Sequence, residues 1–279
     1  MVSWDVQYPQ HRGARWRRAQ IVELATTSGL ASVEELAGEF DVTASTIRRD
    51  LAQLTADGKL ARTYGGAIAL ATHLESSLRQ RVGDAYQAKR GIARWAARQV
   101  APGETVLLDA GSTVGALAHE LRAAAPPLTV VTTGLTALQA LADVDEVRVE
   151  CLGGTLRHVS QGFVGPLAEA SLERLTFDRA FLGADGVTAD RGINEADLDQ
   201  TRLKELMARR ADSVYVLAHA DKLGRKPFHA WTRLEPGWTL VTDVAAEPGA
   251  LEPFQAVGVR TVVVDEEGVE REEGQRAAD

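Results

Sequence analysis

The chain of 279 residues contains a single cysteine, Cys151. No intrachain disulfide can form, which fits a reducing compartment. Long apolar runs are also missing: none approaches the roughly 18 residues that a membrane-spanning helix needs. Met1 to Gly13 lacks the apolar stretch of a signal peptide, so a cytoplasmic location and no membrane partner are expected. His11, His73, His119, His158, His219 and His229 show no ligand spacing, and one cysteine cannot build a zinc site. Neither a metal nor a cofactor is implied. Positive charge is in deficit, with 31 Lys and Arg against 39 Asp and Glu for a net −8. A protein coated in positive potential is thereby excluded, but nucleic-acid binding needs only one basic face. There is no internal repeat and no low-complexity tract.

What is present is ordinary for a globular protein. A hydrophobic content of 45% with 25% charged residues is enough for a real core, and the length fits two domains. Arg12, Arg15, Arg17, Arg18, Arg48, Arg49, Lys59 and Arg62 all fall in the first quarter, whereas the acidic excess lies later. The segment from Asp265 to Glu273 is strongly acidic with few apolar residues, and residues 265–279 are expected to be a disordered tail.

The most informative stretch runs from Thr43 to Gly58 and reads as one helix. Thr43 can cap its N-terminus, and Gly58 ends it. Ile47, Leu51 and Leu54 form an apolar stripe at i, i+4 and i+7. The other face carries Ser45, Thr46, Arg48 and Arg49 near its front end, which suits a DNA major groove. The bland alternative is a solvated helix with two surface arginines. Context argues against it. Val33, Leu36, Ala37 and Phe40 give a helix just upstream, and Asp41-Val42 is a short turn between the two. Ile21, Leu24 and Ala25 place a supporting helix before them, and Lys59 to Ile68 reads as two short strands around a turn. A winged helix-turn-helix over residues 14–70 follows, with Thr43, Ser45, Thr46, Arg48, Arg49 and Arg62 as DNA-binding candidates. The partner is double-stranded DNA. One recognition helix reads few base pairs, so a homo-oligomer on repeated half-sites is expected.

Residues 71–87 read as a polar linker with a weak helical pattern. From residue 88 to 264 helices and strands alternate. Strands are expected at 105–109, 128–132, 147–152, 179–183, 213–218, 239–242 and 260–264. Helices are expected at 89–100, 114–122, 134–142 and 199–210. Strands this apolar, separated by helices, imply an α/β domain with a mostly parallel sheet covered on both faces. Ligands of such sheets bind beyond the carboxyl ends of strands. Those ends carry Asp109-Ala110-Gly111-Ser112-Thr113, Thr132-Thr133-Gly134, Gly153-Gly154, Asp185-Gly186 and Asp221-Lys222. Any one of them is an ordinary turn. Together they point to a small anionic ligand held by backbone amides and hydroxyls at a helix N-terminus. Cys151 alternates with Val149 and Val147, so it reads as a buried strand residue rather than a nucleophile. Trp95, Trp231 and Trp238 read as packing residues. His219 is either a ligand donor or a surface residue after a strand.

Several of these motifs resemble one family. Thr46-Ile47-Arg48-Arg49-Asp50-Leu51, with Val33 to Ala37 before it and Gly58-Lys59-Leu60 and Arg62 to Ala67 after it, resembles the N-terminal domain of DeoR-type transcriptional regulators. Thr43 stands where that family usually has Ser, and Tyr64 where it has His. Asp109 to Thr113, Leu152 to Arg157, Val164-Gly165-Pro166, Ala180 to Gly186 and Lys222 to Arg225 are similar to the family's sugar-phosphate sensor domain, which shares its fold with pentose-phosphate isomerases. The resemblance implies a repressor of carbohydrate metabolism released from its operator by a phosphorylated sugar. The phosphate would lie at Gly111, Ser112 and Thr113 with Lys222 as cationic partner, and Asp109, Thr132, Gly153, Gly154, Asp185 and Lys204 would complete the effector site. Thr133 and His219 depart from the family's Asn and Asp, so the effector could differ. The alternative is an isomerase-like enzyme fused to a DNA-binding domain, with Asp109, Asp185, Glu195, Lys204 and Lys222 as its polar set. The lysine- and glycine-rich loop of such isomerases is absent, with Gly192-Ile193-Asn194-Glu195 in its place. No catalytic role is assigned.

Overall fold

The computed structural model describes residues 13–27, 31–56, 60–63, 66–69, 75–125 and 127–271. The chain divides into two compact units, Met1–Leu74 and Glu75–Asp279.

In the first unit, α1 (Ala14–Thr27), β1 (Ala31–Ser32), α2 (Val33–Glu39), α3 (Ala44–Ala56), β2 (Leu60–Thr63) and β3 (Gly66–Ala69) follow one another. Ile21, Leu36, Ile47, Leu51 and Leu54 form the core, with Val33, Ala37, Phe40 and Val42 packed on it. Burying each such side chain stabilises the unit by about 1.5–3 kcal/mol. Between α2 and α3 the chain turns at Asp41, whose φ of 48° lies in the left-handed region that Asp tolerates. The Val42 N–H donates to Ala37 O at 3.1 Å and closes the end of α2. β2 and β3 pair antiparallel, Leu60 opposite Ala69 and Thr63 opposite Gly66, and β1 joins the far side of β3. The backbone is thus a helix-turn-helix with a wing. Gly58 and the tip at Tyr64-Gly65 lie outside the described residues.

The second unit opens with α4 (Leu78–Gly83) and α5 (Tyr86–Arg98). There follow β4 (Thr105–Leu108), α6 (Ser112–Ala124), β5 (Leu128–Thr132), α7 (Leu135–Leu141), β6 (Val147–Cys151), β7 (Thr155–Arg157), β8 (Gly162–Val164) and α8 (Pro166–Leu172). The remainder is β9 (Phe177–Leu182), β10 (Gly186–Thr188), β11 (Gly192–Glu195), α9 (Leu198–Arg209), β12 (Ala211–Leu217), β13 (Ala230–Thr232), β14 (Thr239–Asp243), α10 (Pro248–Ala256) and β15 (Arg260–Val264). Seven strands make one sheet in the order β15-β14-β12-β9-β4-β5-β6, every pair parallel.

Strand alternation explains the two-sided core. Val106, Leu108, Val130, Phe181 and Leu217 pack with α5, α6 and α7, while Leu107, Val131, Ala180, Leu182 and Val216 pack with α8, α9 and α10. The order reverses between β4 and β9: from β4 the chain steps outward through β5 and β6, and from β9 it steps the other way through β12, β14 and β15. Such a reversal opens a crevice at the carboxyl ends of the two strands.

Three expectations are corrected. Residues 75–87 are not a free linker, because α4 and the first turn of α5 belong to the second unit. Glu75 forms a two-pronged ion pair with Arg157, 2.7 Å at Nη1, and Leu78 N–H donates to Val159 O at 2.8 Å. The tail does not begin at 265. Asp265 accepts from the Glu267 and Val269 amides at 3.0 and 2.9 Å, and Arg98 on α5 donates to the Gly268 and Glu267 carbonyls at 3.0 and 2.7 Å. Gly91 makes room for this segment, since a Cβ there would come within 2.1 Å of Asp265 O. Residues 272–279 lie outside the described residues. Cys151 is exposed rather than buried, because β6 is the edge strand.

Candidate functional site

The α3 surface is built from its cap outward. Thr43 Oγ1 accepts the Thr46 N–H at 3.3 Å and lies 2.9 Å from Ser45 Oγ and 3.0 Å from Thr46 Oγ1. With Ile47, Leu51 and Leu54 facing the core, Ser45, Arg48 and Arg49 are left exposed at the front of the helix, with Thr46 half-buried beside them. Hydroxyls and guanidinium groups at a helix front end are suited to base edges and phosphates. Asp50 departs from the pattern. It is buried at 6% exposure and accepts from Arg17 Nε at 2.7 Å, with Arg18 Nε at 3.7 Å. Arg17 therefore ties α1 to α3, and the basic face is smaller than the count of first-quarter arginines implies. The backbone of Arg62 lies on β2, but its side chain, like Arg12 and Lys59, lies outside the described residues.

At the reversal of strand order a narrow cleft is lined by Arg81, Gly111, Ser112, Thr113, Ser160, Gly183, Glu195, Gln200, Lys204 and Lys222, among others. Gly111 precedes α6 with φ 144°, a conformation that favours glycine. The amides of the α6 first turn have no partner within the helix, and Gly111, Ser112 and Thr113 border the cleft. Asp109, 4% exposed at the end of β4, accepts the Gly183 N–H at 2.9 Å and so joins the two strands that border the crevice. Lys204 rises from α9 beneath it. Its ammonium donates to Gly183 O at 2.8 Å, sits 3.0 Å from Asp109 Oδ2 and pairs with Glu195. Three acceptors use all three of its donors. Lys204 supports the cleft wall instead of offering a free donor to a ligand, as expected of an effector contact.

Burial dominates the electrostatics. It pushes the Glu195 carboxyl up to about 7, against the opposing pull of Lys204. Burial alone would lower the Lys204 ammonium, but Asp109 and Glu195 outweigh it and hold it above its ordinary value. Lys222 donates to Ala184 O, and burial lowers its ammonium while Asp185 opposes the shift. Burial also lowers Lys89 to about 8, assisted by Lys222, and takes His219 down to about 4. His219 is 4% exposed and so is a buried neutral imidazole, not a surface residue; its Nδ1 has no hydrogen-bond partner.

Asp185, expected to line the cleft, is not among its lining residues and is instead held by a partner that sequence reasoning missed. Arg81 on α4 donates from Nη1 to Asp185 Oδ1 at 2.8 Å, and its Nη2 lies 3.7 Å from Glu75. Arg81 Nε and Nη2, Asp185 Oδ2, Ser160 Oγ and Gln200 Oε1 are buried and have no hydrogen-bond partner among the described residues. Buried polar atoms are nearly always paired, so the gathering of these around one cleft makes it the candidate for a polar ligand. No pattern at Arg81 itself signalled this, because the residue falls in a stretch with the composition of a connector.

Thr132, Gly153 and Gly154 do not line the cleft. Thr132 is fully buried, donates to Leu108 O at 2.8 Å and accepts the Gly134 N–H at 2.9 Å, so its hydroxyl holds neighbouring strand ends in register. Gly153 and Gly154 start the β7–β8 hairpin with φ of 68° and 110°, and a Cβ on Gly154 would meet Val164 O at 2.5 Å. Both serve a tight turn. Trp95 and Trp238 are buried against Tyr215 and Phe254, while half-buried Trp231 lies under the Arg191 guanidinium. Among the described residues no group of three or more His, Cys, Asp or Glu could hold a metal ion, and no helix is long and apolar enough to cross a membrane.

Both units resemble known proteins. Residues 17–73 match the DeoR-like helix-turn-helix domain and residues 84–244 match the DeoR C terminal sensor domain. The HTH-type transcriptional regulator GlpR of Haloferax volcanii is 33% identical over 247 residues, covering 88% of this chain and 96% of that protein. The lactose phosphotransferase system repressor of Streptococcus mutans is 29% identical over 231 residues, covering 81% and 91%. Among solved structures, a ribose 5-phosphate isomerase A from Methanocaldococcus jannaschii aligns with 48% of this chain and 52% of its own at 19% identity and a TM-score of 0.36.

Proposed function

The chain belongs to the DeoR family of transcriptional regulators, and on that footing we propose that it represses a carbohydrate-metabolism operon in the cytoplasm and leaves its operator when a phosphorylated sugar fills the cleft at Gly111. The observation that carries the ligand reading is the start of α6 at the strand-order reversal, sharing one cleft with the Lys222 ammonium. A phosphate there accepts charge-assisted hydrogen bonds from Ser112, Thr113 and the first-turn amides while neutralising a buried cation. A free sugar brings no such charge. The lactose repressor among the relatives supports a sugar operon and a negative sign of control. Release requires that the ligand bind the low-affinity state better, and couplings of roughly 1–3 kcal/mol are typical. A homo-oligomer is expected to carry two recognition helices to repeated half-sites.

The test titrates fructose 1-phosphate, fructose 6-phosphate and glucose 6-phosphate, with fructose and glucose as controls, against the protein on DNA selected from a random-sequence pool. A phosphorylated sugar should release the parent protein. Ser112→Val and Lys222→Ala should require on the order of tenfold more, because each loses a contact to a charged group. Equal action by a free sugar, or a parent-like response of both variants, places the phosphate elsewhere.

An enzyme reading has one observation in its favour. Asp109, Glu195 and Lys204 meet in the cleft, and Glu195 is held near 7, where a general base works well. Against it, Lys204 and Asp109 are locked on each other and on Gly183. The protein is expected not to interconvert ribose 5-phosphate and ribulose 5-phosphate. Turnover that disappears in Glu195→Gln would establish an isomerase instead.

A further inference from the structure

We propose that Arg81 is a direct ligand of the effector's phosphate, and that binding exchanges its Asp185 contact for the anion and so draws on the segment leading back to the DNA-binding unit. The inference rests on the phosphate reading above and adds to it the residue that reports occupancy.

Arg81 lies on α4, the first helix after the boundary between the two units at Leu74 and Glu75. The segment is well tied. Ser77 and Gln80 cap α4 reciprocally, at 2.9 Å from Ser77 N to Gln80 Oε1 and 3.4 Å from Gln80 N to Ser77 Oγ. Glu75 is held by Arg157, and Leu78 is buried. Of these groups Glu75 also approaches Arg81, at 3.7 Å from Nη2, beyond hydrogen-bond distance. The Arg81–Asp185 pair is different, because Arg81 lines the cleft together with Gly111, Ser112 and Lys222.

The pair is also incomplete. A guanidinium carries its N–H donors in a fixed fork that matches two oxygens of one carboxylate or phosphate. Here only Nη1 has a hydrogen bond to Asp185, at 2.8 Å. Among the described residues Nε and Nη2 are buried without a hydrogen-bond partner, and so is Asp185 Oδ2. A carboxylate in two-pronged contact would have satisfied both sides at once. A phosphate supplies more acceptor oxygens and more charge than the carboxylate it would compete with. After the exchange Asp185 keeps its Coulomb attraction to the Lys222 ammonium, whose charge it favours. Arg81 thus stands between two carboxylates built into the protein, Asp185 at 2.8 Å and Glu75 at 3.7 Å, and the anion brought by the ligand, which competes with the hydrogen-bonded one. Movement of its side chain acts on α4, and α4 continues directly into the chain that leads to the recognition helix.

The competition gives a signature that a purely structural ion pair lacks. Removing either partner of a structural pair harms the protein in the same direction. Here the two partners should act in opposite directions. In the full-length protein, calorimetric titration with inorganic phosphate should show binding weakened by roughly tenfold or more in Arg81→Ala, since a charged hydrogen-bonding partner is lost. Asp185→Asn removes the competitor and should bind phosphate severalfold more tightly than the parent. Arg81→Lys keeps the charge without the fork and should fall between the parent and Arg81→Ala. It also keeps the test decisive if circular dichroism shows that the alanine variant does not fold. Fructose 1-phosphate, fructose 6-phosphate and glucose 6-phosphate are then titrated against each protein–DNA complex. Whichever releases the parent should, at saturation, leave Arg81→Ala on DNA. Arg81 variants that bind phosphate and release DNA like the parent overturn the inference while leaving the phosphate site intact. Equal weakening in Arg81→Ala and Asp185→Asn assigns the pair a structural role and overturns it as well. A parent that binds none of these phosphates removes the phosphate reading itself.

Discussion

A protein with Arg48 and Arg49 both changed to alanine is expected to lose selected operator DNA by on the order of a hundredfold or more, since each base contact contributes roughly 1–3 kcal/mol and an oligomer presents the pair more than once. Both side chains are exposed on α3, whose opposite face is fixed in the core by Ile47, Leu51 and Leu54. The fold should therefore survive the change, and phosphate titration should match the parent. A gel shift across a salt series separates the two arginines' roles. A phosphate contact lowers the slope of log affinity against log salt by about 0.9 per contact, whereas a base contact changes sequence preference. Parent-like retention at all salt concentrations would mean that α3 is not the helix that reads DNA.

Changing Lys204 to methionine is expected to cost the second unit about 3–5 kcal/mol at pH 8, the usual consequence of stranding buried partner charges. Asp109 and Glu195 would both lose the cation between them. The cost should shrink in acid. Glu195 is pushed up to about 7 by burial, above its ordinary value of 4.5. A carboxyl raised in the folded state favours folding fully below its unfolded value and loses that contribution as pH rises through the folded one. In the parent, this group's contribution is therefore greatest below about 4.5 and is lost by about 7 to 8. In the variant Glu195 rises further and is neutral over a wider range, so at pH 5.5 only Asp109 remains to be stranded. Urea unfolding at pH 5.5 and 8 reads both numbers. An equal loss at the two values would show that Glu195 is charged throughout and that burial does not govern it.

Parts of this architecture were legible because they depend on repeated local pattern. The stripe Ile47, Leu51, Leu54 and the cap at Thr43 announce α3, and both are found as expected. Contiguous apolar runs such as Val130-Val131 and Val262-Val263-Val264 announce parallel strands, since both faces are buried. Short elements stayed hidden. The strands β7, β8, β10 and β13 have three residues each, too few for any period to register. α8 has seven residues and α10 carries an internal Pro253, which argues against a helix. Candidate site residues were legible only where the strand end itself borders the cleft, as at Gly111 to Thr113. Thr132 looked equivalent, but a hydroxyl at a buried strand end can equally serve the backbone, and only the neighbouring strand decides. Arg81 and Asp185, like Arg17 and Asp50, meet across long loops of chain. Nothing in local sequence marks which of many charged residues will be paired in that way.

The segment after β15 has a consequence for how copies of this unit can associate. An outermost strand presents unpaired amides and carbonyls to any other sheet that approaches it. β15 is such a strand and ends in the apolar run Val262-Val263-Val264, so that end would be a ready template for continuing the sheet into a second molecule. The chain instead turns back on it. Glu270 bridges antiparallel to Val264, and the Arg271 N–H donates to Val263 O at 2.8 Å. A foreign strand adding along β15 would first have to displace the protein's own C-terminal residues. At the opposite margin β6 carries the Arg148–Glu150 pair at 2.7 Å, charges that an added strand would have to desolvate. Both margins of the sheet are thus defended, one by self-coverage and one by charge, and an oligomer of this sensor unit is steered toward its helices and loops.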